Sequence, residues 1–199
     1  MPLSDRTRRL ALPLAAFLLG LVVLGVAVVL TLAPASRPAG AANVGGPFRL
    51  VDHNGRTVTD REFVGAPHLV FFGFTRCPDI CPTKLFELSE VLRATGDKGR
   101  RLRALFITVD PERDTPEAMK SYVASFDERI VGLTGDPEAV QATVRAYRAF
   151  ARKVPLKEGD YTMEHTALVY LMDKDGRFVG SFNLNRPPEE AAKDLLGRL

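Results

Sequence analysis

Tryptophan is absent from this 199-residue chain, cysteine occurs twice, histidine three times, and aromatic residues make up only 8%. Two cysteines exclude a disulfide scaffold, in which several bridges stand in for a hydrophobic core. An apolar fraction of 46% beside 26% charged residues excludes a disordered chain and suits one well-buried domain. Charge is missing locally as well, because Leu10–Ser36 forms a run of 27 uncharged residues between Arg9 and Arg37. A basic surplus is missing from everything that follows. Residues 1–40 hold Arg6, Arg8, Arg9 and Arg37 against Asp5, which leaves 23 bases and 23 acids in residues 41–199. The isoelectric point near 9.0 therefore gives no support to nucleic-acid binding, which needs Lys and Arg clustered on the folded domain.

The uncharged run points to a membrane. A helix needs about 20 apolar residues to cross a hydrocarbon core, and Leu14–Ala33 supplies 20, broken only by Gly20, Gly25 and Thr31 and bracketed by Pro13 and Pro34. Ala33-Pro34-Ala35 imitates a signal-peptide cleavage site, but the apolar stretch is longer than the 7–15 residues usual there, so an uncleaved anchor is expected. Arg6, Arg8 and Arg9 precede the span, and only Arg37 lies between it and Arg49. By the positive-inside rule residues 1–9 stay in the cytoplasm, residues 10–33 form the transmembrane anchor, and the C-terminal part is exported. A mitochondrial transit peptide would be amphipathic instead. This organisation fits a single-pass protein of the bacterial inner membrane, with its cysteines in the oxidising periplasm. Residues 34–47, rich in Pro, Ala and Gly, read as a flexible linker to one domain over residues 48–199.

Within that domain strand and helix patterns alternate. Phe48–Asp52 and Arg56–Val58 flank His53-Asn54-Gly55, a hairpin signal. His68–Phe74 is a nearly continuous apolar run, as in a strand buried on both faces. Pro82–Leu92 spaces Leu85, Leu88 and Leu92 for one helix face, and Leu102–Val109 is a second buried strand. Thr115-Pro116 and Asp136-Pro137 each set a capping residue before a proline at the first helical position, predicting helices over 116–126 and 137–148 around a short strand, Ile130–Leu133. Thr166–Met172 and Arg177–Phe182 form a hairpin around Asp173–Gly176, and Pro188–Leu199 closes as a helix. The Asp173 segment is no EF-hand, because loop position twelve is Leu184 instead of glutamate. The order predicts an α/β domain, most simply a thioredoxin-like mixed sheet flanked by helices.

Both cysteines fall in FTRCPDICPTKL, directly after the first buried strand and at the start of a helix. Ligands bind at the carboxyl ends of strands in open α/β sheets, and helix N-terminal amides favour the thiolate. A spacing of four sets Cβ atoms about 5–6 Å apart on a regular helix, wider than the 3.5–4.5 Å of an unstrained disulfide. Cys77 and Cys81 are thus better placed to share a metal than to close at once. With Pro78 and Pro82 putting Cys77 in the turn, a redox-active disulfide needs only local movement, and a plain structural disulfide is the alternative. His53 in a hairpin turn and His68 at the head of a strand suit surface or core roles. His165, where a polar loop meets a buried strand, would lie beside the cysteine turn and complete an S₂N donor set for copper or zinc. Three ligands satisfy trigonal Cu(I), whereas structural zinc would ask for a fourth. Met163 is a candidate auxiliary thioether, with loop or core packing the simpler role.

Together FFGFTRCPDICPTKL, FITVDPERDTPE, IVGLTGDPEAVQATVRAYRAF and YTMEHTALVYLMDKDGRFVGSF resemble the Sco/SenC copper chaperones over about residues 45–199. The resemblance implies a membrane-anchored thioredoxin-like metallochaperone, not an enzyme, that binds Cu(I) and Cu(II) through Cys77, Cys81 and His165. It would help assemble the dinuclear copper centre of cytochrome c oxidase, with the subunit carrying that centre as partner and other periplasmic copper carriers or thiol reductants as further contacts. It also allows a thiol-disulfide oxidoreductase that reduces the cysteines of that centre. Asp79 and the Asp110–Asp114 loop match the family too, for hydrogen bonding or for shaping a partner surface. A metal-free oxidoreductase would more usually carry Cys-x-x-Cys. A peroxiredoxin lacks support, with Pro78 and Phe74 where a Thr/Ser-x-x-Cys pattern would need hydroxyls, and a tethered interaction module with an inert disulfide is the non-catalytic alternative.

Overall fold

The computed structural model describes residues 18–25 and 44–199. Residues 18–25 are an exposed helical segment, and the remainder of the expected anchor and of the linker lies outside the described residues. Among the described residues no helix is long and apolar enough to cross a membrane. The C-terminal unit takes up the last linker residues: Val44 packs on its core, and the Gly45 amide donates to the Ala146 carbonyl at 2.9 Å.

The apolar runs form the central strands. β3 (His68–Gly73) and β4 (Arg103–Thr108) pair in parallel, with Phe71 beside Phe106, and β5 (Ile130–Thr134) continues the parallel set. Every residue of β3 is buried, because helices cover both faces of the sheet. Antiparallel strands complete it: β1 (Arg49–Asp52) and β2 (Thr57–Thr59) on the β5 side, β8 (Val169–Met172) and β9 (Phe178–Ser181) on the β3 side. The seven strands run β2-β1-β5-β4-β3-β8-β9. The first hairpin turns as its sequence demands, with Gly55 at φ +82° and the buried Asp52 carboxylate accepting from the Asn54 and Arg56 amides at 2.9 Å each.

Four helices follow the strands. α1 (Ile80–Ala94) buries Leu85, Leu88 and Leu92 and packs against α4 (Pro188–Leu196). α2 (Pro116–Val123) and α3 (Pro137–Ala146) begin at the expected prolines, capped by Thr115 and Asp136 side chains that accept from Ala118 and Glu138. α2, α3 and α4 each stop two or three residues short of the predicted end, where amphipathic spacing continues past the last turn. Phe71, Gly73 and Phe106 face α1 and α2, with Phe106 against Tyr122, while Phe72 packs edge-on to Tyr147 and Tyr170 on the opposite face.

One element departs from expectation. The polar loop before His165 is a two-stranded ribbon separate from the main sheet, β6 (Ala151–Pro155) paired antiparallel with β7 (Tyr161–His165), and β8 begins at Val169 instead of Thr166. Neither ribbon strand has a fully buried residue, so no alternation of apolar and polar side chains marks it in the sequence.

Gly73 sits where the sheet meets the cysteine helix. A Cβ there would lie 2.6 Å from Phe106 Cε2 and 2.8 Å from Cys81 Sγ, both fully buried. Gly73→Ala is expected to lower the stability of the domain by about 1–3 kcal/mol, measured by urea denaturation of the reduced protein.

Candidate metal centre

Three sequence-distant segments meet at the carboxyl end of β3. Cys77 lies in the turn after the strand, its amide donating to the Phe74 carbonyl at 3.2 Å. Asp79 takes the N-cap position of α1, and Pro82 fits the first turn because a proline there forfeits no helical hydrogen bond. Cys81, the second residue of the helix, is fully buried, and its backbone N–H donates to Cys77 Sγ at 3.3 Å. The helix start thus aims an amide at the Cys77 sulfur. His165 ends β7, half-buried, with Nε2 3.5 Å from Cys81 Sγ. Its Nδ1 lies 3.1 Å from the Thr166 carbonyl. A carbonyl can only accept, so Nδ1 carries the proton and the Nε2 lone pair is left facing the sulfurs. Phe71 and Phe74 present their rings edge-on to the imidazole at 6.1 and 5.8 Å, fixing its plane.

The cysteines are free thiols, and the pair divides its protons unequally. Cys77 is held far below the usual thiol range, first by the hydrogen bond it receives from the Cys81 thiol and also by the Cys81 and Asp79 amides, against the opposing effect of burial. Cys81 is pushed up, as the donor in that bond and by burial. One negative charge therefore rests on Cys77, because two thiolates this close and this dry would repel. The two sulfurs and Nε2 lie within 4.8 Å of one another. A single ion bonded to sulfur at about 2.3 Å and to imidazole nitrogen at about 2.0 Å would need spacings near 4 Å, so the donors fit one metal after a small contraction.

An open groove of about 390 Å³ leads to these atoms, with Cys77, Pro78 and Ile80 on one wall and Met163, His165 and Ala167 on the other. Met163 is thus half-buried beside the donors, and Asp79 also lines the groove. The remaining histidines lie elsewhere. His53 Nδ1 accepts from the Gly132 amide at 3.1 Å, and His68 is buried against Phe63, its pKa lowered by that burial.

A buried carboxylate supports the cysteine turn from below. Asp114 accepts from the Thr75 amide at 3.1 Å, from Thr75 Oγ1 at 2.6 Å and from Thr108 Oγ1 at 2.6 Å, and burial raises its pKa. Residues 110–114 were legible as a motif, but Thr75 carried no separate signal in the sequence, and neither did Tyr161 and Lys153, which reach the same loop from the ribbon.

The chain has well-defined relatives. A sequence model of the SCO1/SenC family matches residues 36–199. The mitochondrial SCO1 homolog of Mus musculus is 41% identical over 166 residues, which cover 82% of this chain and 58% of that protein. The SCO2-like protein of Rickettsia felis is 35% identical over 156 residues, covering 77% of this chain and 76% of its own length. The chain spans 44–61% of the length of five eukaryotic relatives that it matches, the mouse protein among them. Among solved structures, copper-bound ScoI of Bradyrhizobium japonicum matches with a TM-score of 0.77 at 60% identity, covering 78% of this chain and 99% of that one. Copper-bound yeast Sco1 matches with a TM-score of 0.71 at 36% identity, covering 78% and 87%.

The proton asymmetry has a direct readout. Cys77 is expected to alkylate with iodoacetamide at a rate nearly constant from pH 8 down to pH 6, where an ordinary thiol with a pKa of about 8.5 slows in proportion to its vanishing thiolate. Cys81→Ala removes the donor, and the Cys77 profile should then move upward in pH.

Proposed function

The chain belongs to the SCO1/SenC family, and from that premise we propose that it is a membrane-tethered copper chaperone. It binds Cu(I) and Cu(II) through Cys77, Cys81 and His165 and delivers the ion during assembly of the dinuclear copper centre of cytochrome c oxidase. The observation that carries this reading is the convergence of two sulfurs and an imidazole nitrogen within 4.8 Å, one from a strand–helix turn, one from the helix itself and one from a ribbon 84 residues further on. Such a soft-to-borderline donor set suits copper, and relatives at 60% and 36% identity have been solved with copper bound. The charge pattern of residues 1–40 supports an anchor in the bacterial cytoplasmic membrane, with the N-terminus cytoplasmic and the copper domain periplasmic.

Copper is the cargo, and the chain's part is to hold and release it. Cys77 offers a thiolate at once, while Cys81 gives up its proton as the ion arrives, the ion's charge replacing the proton between the sulfurs. Affinity therefore falls as pH falls, because protons compete with the ion for Cys81. The open groove lets a partner's thiolates reach the ion before it leaves the three donors, so transfer proceeds by ligand exchange without release to water. Oxidation of Cys77 and Cys81 to a disulfide removes both sulfur donors and stops loading.

The same asymmetry favours a second reading, thiol-disulfide exchange. The Cys77 thiolate attacks a partner disulfide and expels one thiolate; Cys81, losing its proton, then attacks Cys77 and releases the second partner thiol. The chain is left oxidised by two electrons and the partner reduced by two, and an external dithiol reductant must restore the pair.

Anaerobic titration of the reduced full chain in detergent with Cu(I) and with Cu(II) separates the two. One copper per chain is expected, with Cys81→Ser and Cu(II) binding by His165→Ala each weakened about 10-fold or more. Unchanged binding in both variants defeats the carrier reading. Turnover of a protein disulfide that survives His165→Ala but not Cys77→Ser establishes the exchange reading instead.

A further inference from the structure

The imidazole donor stands on a ribbon that is separate from the main sheet and buries no residue fully. Something must hold that ribbon in place, and its polar contacts converge on residues 110–114 of the loop between β4 and α2. Arg113 lies over the Tyr161 ring, 3.2 Å from its centroid, and donates to the Tyr161 carbonyl at 2.7 Å. It also pairs with Asp160 at 3.3 Å. The Tyr161 hydroxyl donates to the buried Asp110 at 2.9 Å, which Arg113 neutralises at 3.2 Å. Lys153 on the neighbouring strand pairs with Glu112 at 2.6 Å and sits 4.6 Å from the centroid of the Tyr161 ring. Two cations thus lie against Tyr161, at the end of β7 opposite His165.

The same loop grips the other half of the site. Asp114 takes both the amide and the hydroxyl of Thr75, two residues before Cys77. One short segment is therefore bonded at one end to the cysteine turn and at its middle to the histidine ribbon. The near end of the ribbon is held by packing, with Met163 and Ala151 on the core and the His165 ring against Phe71 and Phe74, so the polar ties of the far end lie in this loop.

We propose that the Asp110–Asp114 loop, with Tyr161 and Lys153, is the positioning clamp that sets the distance between His165 and the cysteines, and so governs the grip on Cu(II) separately from that on Cu(I). The second half rests on the copper reading above. Cu(I), a soft ion, would keep most of its grip on the two thiolates if the imidazole withdrew, whereas Cu(II) depends more on the imidazole. Loosening the ribbon withdraws the imidazole and leaves the sulfurs in place. Arg113, Tyr161 and Lys153 touch no metal donor and act through the ribbon alone.

Tyr161→Leu removes the ring stack and the hydroxyl while leaving Arg113 to neutralise Asp110; Tyr161→Phe keeps the stack. Glu112→Gln, at an exposed pair, weakens the clamp without touching the buried carboxylates. In the copper-free full chain, hydrogen exchange of the 151–155 and 161–165 amides is expected to accelerate in Tyr161→Leu, and less in Glu112→Gln, with β3 and β4 unchanged. In the Cu(II)-loaded Tyr161→Leu chain, the imidazole-nitrogen coupling in the electron paramagnetic resonance spectrum should fade. Its Cu(II) affinity should drop about 10-fold or more, its Cu(I) affinity should move by less than about threefold, and Tyr161→Phe should restore most of the loss. Unchanged ribbon exchange in both Tyr161→Leu and Glu112→Gln overturns the clamp, as does an equal loss of both oxidation states. A wild-type chain that takes up neither ion overturns the copper reading, and the exchange measurement then decides the clamp by itself.

Discussion

A thiol sealed into the first turn of a helix and an imidazole on an outlying ribbon, 84 positions further along the chain, stand 3.5 Å apart. No strand pairing joins the ribbon to the main sheet, so that distance is held by side chains. The burden falls on one segment at the carboxyl end of β4. Asp114 is buried and its carboxyl is saturated by Thr75 and Thr108, which locks the cysteine turn to the adjacent parallel strand. Four residues earlier, Asp110 is buried as well, and it reaches outward through Arg113 and the Tyr161 hydroxyl. Two buried carboxylates in one turn would repel each other across a dry interior. Asp114 is tolerable because hydroxyls and an amide saturate it, and Asp110 because the Tyr161 hydroxyl reaches one oxygen and the Arg113 guanidinium pairs with the other, which accepts no hydrogen bond.

The electrostatics of the sulfurs follow from the same crowding. Burial and proximity forbid two thiolates, so Cys77 keeps the charge and Cys81 the proton. Such a pair is incomplete without a cation. A proton satisfies it in part, and a soft metal ion does so more fully because it can bond both sulfurs and the imidazole at once. The groove above the site gives access without flooding it, since Phe74 beneath and Ile80 at the rim are apolar. In the proposed carrier, proton, disulfide and copper are alternative occupants of one position, which makes loading sensitive to both acidity and redox state.

How much of this was written in the sequence depends on how much each element buries. β3, β4 and β8 are apolar runs because the sheet is covered on both faces, and α1 shows its leucines at helical spacing because one side of it is core. The capping residues before Pro116 and Pro137 marked two helix starts to the residue. The β6–β7 ribbon escaped because its strands are held by their mutual backbone bonds and by charged side chains, and Arg, Lys, Glu and Asp in such a stretch read equally well as a loop.

The sequence alone determined the chemistry available: two cysteines four apart at a strand–helix junction, a histidine before a buried strand, and a chain whose net positive charge lies in its first 40 residues, around an apolar run. Residue type, spacing and hydrophobic period are local properties, and a single chain displays them directly. How closely His165 approaches the cysteines, which sulfur carries the charge, and what holds the imidazole in reach were decided only by the tertiary structure. Those depend on distances between segments remote in the chain and on burial, and both arise only when the sheet, the helices and the Asp110–Asp114 loop have packed together.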